Sequence, residues 1–239
     1  MSNGKTLIID IETAGMRFDD MDELTQKDLT RWIKKNSRSE EEYEAALEER
    51  KQEMGLSPLT GEIVAIGVLD ADKDQGVVYY QDPSGKEKEE AKGNISYKPM
   101  DELSMLKAFW KGAEQYRTFV TFNGRQFDIP FLNLRSAINE LRPSKDLMRG
   151  RYLYQQAPDA IHIDLADQFN YYGSVRRSGS MHLYCQAFSI ESPKGGEVAG
   201  EDVTAMFEAG EGKKIALYNA ADIAATKSLY EYWDRYLRF

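Results

Sequence analysis

The stretch Thr6-Leu7-Ile8-Ile9-Asp10-Ile11-Glu12-Thr13 decides how the fold is read. Its β-branched and aliphatic run from Thr6 to Ile11 reads as a strand buried on both faces. Asp10 and Glu12 close that strand, and side chains two apart on a strand point to the same face. Two adjacent carboxylates repel each other and are costly to leave uncompensated beside a core. A divalent cation is the simplest offset.

Outward from this strand, two Val-, Ile- and Tyr-rich runs, Glu62 to Leu69 and Gly76 to Gln81, read as a hairpin around the charged turn Asp70 to Gln75. Asp101 to Tyr116 carries Leu103, Leu106, Phe109 and Trp110 at helical spacing. Thr118 to Asn123 is a further strand, followed by a helix with Pro130 in its first turn, running to about Leu141. Ile161 to Leu165 is a short strand, helical stretches follow, and a long helix spans about Lys213 to Tyr236. This order predicts an α/β fold: a mixed five-stranded sheet flanked by helices, with a helical insertion after the first strand. Residues 1–239 read as one domain, with 16–58 as the insertion. Within it, Asp19 to Met54 reads as two charged helices, the second capped by Ser39 with Glu42 three residues on.

Composition narrows the class. The 239 residues hold 31 Lys+Arg against 40 Asp+Glu, a net charge of −9, which argues against a general coating of nucleic-acid affinity. The charge is segregated: residues 19–53 carry 12 acids and 7 bases, residues 121–182 carry 6 acids and 8 bases. A hydrophobic share of 41% is too high for a disordered chain. Cys185 is the single cysteine, so no internal disulfide forms. No apolar run approaches the roughly 18–20 residues that span a bilayer. The polar start, Met1 to Lys5, does not resemble a signal peptide. The expectation is a soluble cytoplasmic protein with no membrane association.

Two further sites carry acids at element ends. Thr121-Phe-Asn-Gly-Arg-Gln-Phe-Asp128-Ile-Pro places Asp128 after a second strand, with Gly124 for a tight turn and Asn123 able to offer its amide. Leu217-Tyr218-Asn-Ala-Ala-Asp222 puts Tyr218 and Asp222 on one face of the last helix, among small residues including Asn219 that suit close helix–sheet packing. Four acids and a tyrosine could therefore converge at one sheet edge. Oxygen-only donors suit Mg²⁺ or Mn²⁺, and four carboxylates suit a metal pair for phosphodiester displacement.

Asp10-x-Glu12-Thr13, Asn123-Gly-x-x-Phe127-Asp128-x-Pro130 and Tyr218-x-x-x-Asp222 together resemble the three motifs of the DEDD 3′–5′ exonucleases in their tyrosine variant. That family has the ribonuclease H-like fold. The branch resembled is the stand-alone exonucleases similar to the proofreading domain of family B DNA polymerases. Asp164-Leu165 and Ser192-Pro-Lys194-Gly-Gly before Gly200-x-Asp-Val support it. The resemblance implies two divalent cations, Mg²⁺ or Mn²⁺, with Asp10 bridging both. Glu12 and Asp222 complete the site that activates water, and Asp128 supports the second ion. Tyr218 orients the attacking water. Thr13 and Asn123 contact the terminal nucleotide, Phe127 packs near the terminal bases or supports the turn, and Lys194 contacts phosphate or leaving group. The implied reaction removes 5′-nucleoside monophosphates from the 3′ end of single-stranded DNA. An exoribonuclease of the same fold, or a silent nucleic-acid-binding scaffold, are the alternatives.

Other residues have plainer readings. His162 and Asp167 show the spacing of the sister His-x-x-x-x-Asp branch, but His162 lies in a strand and reads as structural. Arg142, Lys145, Arg149 and Arg151 read as a solvated loop or a phosphate contact. Arg176 and Arg177 beside Tyr171 and Tyr172 combine charge with stacking surface, as single-strand grooves do. The insertion leaves the sheet beside Asp10 and Glu12, so it walls the entrance or binds a protein partner through residues 19–54.

Overall fold

The computed structural model describes residues 5–193 and 202–238. Among these, seven strands form one sheet in the order β4-β5-β3-β2-β1-β6-β7. The strands are β1 (Thr6–Gly15), β2 (Gly61–Asp70), β3 (Gln75–Tyr80), β4 (Glu90–Lys92), β5 (Ile95–Pro99), β6 (Thr118–Thr121) and β7 (Ile161–Asp164). The five expected strands are the contiguous run β3-β2-β1-β6-β7. The sheet is wider by β4 and β5, which were not anticipated. β5 pairs parallel to β3, and β4 closes the edge as a three-residue exposed strand. Its charged sequence, Glu-Ala-Lys, carries no alternation to read, and such short charged edges discourage pairing with other chains.

β1, β6 and β7 run parallel, while β2 is antiparallel to both β1 and β3. The β1 alternation sorts the core into two layers. Leu7, Ile9 and Ile11 face Met105, Leu106 and Phe109 of α3 (Glu102–Ala113) and Ile129, Phe131 and Leu132 of α4 (Asp128–Ile138). Ile8 and Ala14 face Ile215, Ala216, Ala220 and Ile223 of α8 (Gly212–Tyr236). Asp10 and Glu12 share the parity of Ile8, so they also lie on the α8 side.

Helix α4 is clamped in place. The buried Glu102 carboxylate accepts from Arg135 Nε at 2.8 Å and Nη2 at 2.7 Å, and from the Ile63 N–H at 2.8 Å. This ties α3, α4 and β2 together, and removing one partner of such a buried pair costs about 3–5 kcal/mol. The clamp anchors the last turn of α4, the helix that begins at Asp128.

The insertion holds α1 (Glu23–Asn36) and α2 (Glu40–Gln52). Ser39 caps α2, accepting from the Glu42 N–H at 3.2 Å, while the Glu42 carboxylate accepts from the Arg38 N–H at 2.7 Å. No residue of α2 is buried, so its acids face solvent. The insertion re-enters the core through Met54 and Gly55, packed so tightly on Gly15 that a Cβ there would lie 2.8 Å from Met54 Cβ. The short helices α5 (Leu165–Phe169), α6 (Met181–Ala187) and α7 (Val203–Glu208) cover the α8 side.

Candidate active site

The carboxyl ends of the parallel strands form one edge. β1 pairs with β6 only from Thr6 to Ile8, and beyond that the two diverge. Asp128 takes over as partner: its Oδ1 accepts from the Ile11 N–H at 3.1 Å. On the other side of β1, the register with β2 shifts between Glu12 and Thr13, placing a bulge beside the acids. Bulges re-aim side chains at such positions.

Asp10, Glu12 and Asp222 each offer an oxygen, and these oxygens lie within 4.8 Å of one another. Asp128 stands beside this triple, outside that distance, but close enough to raise the Asp10 and Glu12 pKa values electrostatically. Burial pushes the Asp10 and Glu12 carboxyls well above the usual carboxylate range, and Asp222 adds to the effect. Burial likewise lifts Asp128 to about 7, with Asp164 and Asp222 contributing. Desolvation and like-charge repulsion act together here, and a bound cation would relieve both. The donor set is all oxygen, which fits a hard divalent ion. Tyr218, half-buried on α8, donates its hydroxyl to Asp222, and burial with the surrounding acids raises its pKa.

Asn219 belongs to this cluster although its type and spacing suggested only packing. It is fully buried, and its Nδ2 donates to Asp10 Oδ2 at 2.7 Å and also hydrogen-bonds Glu12. Among the described residues its Oδ1 has no donor. It fits because Gly67, opposite Asp10 on β2, has no side chain: a Cβ there would lie 2.0 Å from that Oδ1. The available signal was spacing, since positions 219 and 222 share a helical face.

The second motif is organised by Asp164. Its Oδ1 accepts from the Asn123 N–H at 2.9 Å and the Ala166 N–H at 3.0 Å, and its Oδ2 from the Arg125 N–H at 2.9 Å. Asn123 is thereby held at φ +64° with its side chain exposed at the turn. Gly124 is required, because a Cβ would come 2.4 Å from Thr121 Oγ1.

The remaining expectations divide. The Thr13 hydroxyl donates to the Gly55 carbonyl at 2.7 Å, tying the insertion to β1. Phe127 is half-buried against Phe131, ring centroids 5.4 Å apart, and joins the α4-side core. Lys194 lies outside the described residues. His162 is buried between Thr121 Oγ1 (2.8 Å from Nε2) and the Leu147 carbonyl (3.1 Å from Nδ1). Burial lowers its pKa to about 4, so it is a neutral structural residue. Arg151 pairs with Asp167 at 2.5 Å and Lys145 with Asp159 at 3.6 Å.

Comparison with known proteins gives the family and the fold. A family model described as "Predicted 3'-5' exonuclease related to the exonuclease domain of PolB" matches residues 59–237. The family B DNA polymerase from the hyperthermophilic archaeon Pyrobaculum calidifontis superposes with a TM-score of 0.58 at 14% identity, covering 97% of this chain. The chain spans 25% of that polymerase's length, and the likeness shows a shared ribonuclease H-like fold. No curated protein matches the chain. No helix among the described residues is long and apolar enough to cross a membrane.

Proposed function

The chain belongs to the family of predicted 3′–5′ exonucleases related to the exonuclease domain of PolB, and from that premise we propose that it removes nucleotides from the 3′ end of single-stranded DNA. Each step releases a 5′-nucleoside monophosphate. The convergence of Asp10, Glu12 and Asp222 from two distant chain segments carries this reading.

Asp10, Glu12, Asp128 and Asp222 would hold two divalent cations, Mg²⁺ or Mn²⁺, matching the all-oxygen donor set. Such a pair supplies Lewis-acid polarisation of the phosphate and a lowered pKa for water. The chain's own residues position and exclude. Tyr218 keeps its proton, given its raised pKa, and orients the attacking water while its hydroxyl engages Asp222. Asn219 is a positioning residue that holds the Asp10 and Glu12 carboxylates in register. The exposed amide of Asn123 meets the terminal nucleotide, and Phe127 supports that turn. Thr13 acts near the terminus through its tie to Gly55, and Lys194 is assigned a phosphate contact. The cytoplasmic setting and the single-domain organisation belong to the same reading.

The test is digestion of 5′- and 3′-end-labelled DNA and RNA oligomers with Mn²⁺ or with EDTA. The expected result is a ladder shortening from the 3′ end of single-stranded DNA, abolished by EDTA and lowered at least about 10²–10³-fold in Asp10→Asn and Asp222→Asn. Undiminished activity in either purified variant would contradict the assignment. Preferential digestion of RNA would move the substrate to the ribonucleotide class.

A further inference from the structure

The segment 150–156 carries more order than a plain connection to β7 requires. Gly150 sits at φ +67°, where a Cβ would lie 2.6 Å from Gln155 Cβ. The Gln156 side chain pairs with β7 as a strand would, accepting from the His162 N–H at 2.7 Å and donating to the His162 carbonyl at 3.0 Å. Leu153 packs into the α8-side core, so its neighbours Tyr152 and Tyr154 are turned outward. Their rings are near-parallel, 12° apart with centroids at 5.8 Å, and Tyr154 is 83% exposed.

A third ring joins them from the other side of β7. Tyr172 lies 4.7 Å from Tyr152, centroid to centroid, and Arg151 sits over its face at 5.9 Å. Tyr171 and Tyr172 hold φ values of +51° and +56°, a backbone region that bulky residues seldom occupy. Such strain persists where the surroundings impose it and is a pointer to function. Arg149, Arg176 and Arg177 are exposed on the same two segments. The group is linked to the second motif: Arg151 pairs with Asp167 of α5, whose N-cap is Asp164, the residue that fixes the Asn123 turn.

We propose that Tyr152, Tyr154 and Tyr172, with the arginines around them, form a stacking platform for unpaired bases of a single-stranded nucleic acid, upstream of the terminus held at the acid site. The direction of the strand rests on the exonuclease reading above. The platform itself rests on two outward rings, Tyr152 and Tyr154, backed by the half-buried Tyr172 and set beside exposed cations, in a chain whose net charge of −9 repels polyanions elsewhere. Only single strands leave base faces free, and aromatic stacking tolerates any base.

The test uses the full chain and two substrates. One is a labelled oligothymidylate of about 20 nucleotides. The other is the p-nitrophenyl ester of thymidine 5′-monophosphate, which is too small to reach beyond the acid site. In EDTA, Tyr154→Ala is expected to weaken oligomer binding about tenfold by fluorescence anisotropy, and Tyr154→Trp to restore it. With Mn²⁺, Tyr154→Ala is expected to raise KM for the oligomer by a similar factor and to leave ester hydrolysis unchanged. Unaltered oligomer affinity in both Tyr152→Ala and Tyr154→Ala would overturn the platform, as would equal binding of duplex and single strand. Equal loss on both substrates would do so too. Because Tyr154 is so exposed, its variant tests the idea even where Tyr152→Ala misfolds. A wild type that hydrolyses neither substrate yet binds the oligomer through Tyr154 would overturn the exonuclease reading alone.

Discussion

The side-chain amide of Asn219 donates to Oδ2 of Asp10 at 2.7 Å, joining positions 209 residues apart. The same amide reaches Glu12, so one neutral donor group lies between two like charges. Its carbonyl oxygen is left without a donor among the described residues, which costs about 1–3 kcal/mol for a buried group.

Asn219→Ala is expected to lower Mn²⁺ affinity and nuclease rate about 10–100-fold, the range for partners that orient metal-binding side chains. Gly67→Ala should produce the same defect without touching the acids, because its Cβ would collide with Asn219 Oδ1. Titration calorimetry with Mn²⁺ and a rate assay check both. Wild-type metal affinity in either variant would remove Asn219 from this role.

Tyr218→Phe keeps the ring and deletes the hydroxyl that engages Asp222. Mn²⁺ affinity is expected to stay within about threefold of wild type while kcat falls about 10–100-fold, the scale of losing one oriented donor. A drop in metal affinity with kcat unchanged would show the hydroxyl to be structural.

The clustered acids predict an unusual pH dependence for the metal-free protein. Asp128 has a folded pKa of about 7 against an ordinary 3.8, so the folded state binds its proton more tightly than the unfolded chain does. The stability carried by the neutral acid is full below about pH 4 and is lost as pH rises through about 7. Asp10 and Glu12, also raised, act in the same direction. Melting temperature in EDTA is therefore expected to fall between pH 5 and 8, and less steeply in Asp128→Asn. Mn²⁺ at a hundred times its Kd should restore about 2.7 kcal/mol, roughly 5–10 °C, at the upper pH. A melting temperature in EDTA that rises across this range would contradict the burial of these acids.

The insertion offers a separable test. Replacing residues 23–50 with a short Gly/Ser linker keeps Met54 and Gly55, which pack on Gly15 and hold Thr13. Mn²⁺-dependent hydrolysis of short oligomers is expected to persist within about threefold, while the preference between single-stranded and duplex ends changes. An unchanged substrate profile would leave the two helices without a part in substrate choice.

Much of this arrangement was legible in the chain itself. The period of two on β1 put Asp10 and Glu12 on one face, and the spacing of four on α8 put Tyr218 with Asp222. Ser39 and Glu42 marked the start of α2. Periodicity reports which way a side chain leaves its own element, because that depends only on local backbone geometry. It does not report which element lies opposite. Asn219 therefore read as a small packing residue, Asp164 only as part of the family resemblance, and the tie from the Thr13 hydroxyl to Gly55 stayed out of sight. β4 and β5 escaped notice because a three-residue strand with two charged residues and a five-residue strand bear too little pattern.

The sequence alone determined the acids, their element ends and their facing, since these follow from local spacing. The tertiary structure alone decided that Asn219 fits against Gly67 and spans Asp10 and Glu12, and that Tyr152 packs on both Tyr154 and Tyr172, which come from opposite sides of β7 in the chain. Such contacts depend on how closely a helix or loop approaches a strand, a distance set by packing of the whole core and written in no single segment.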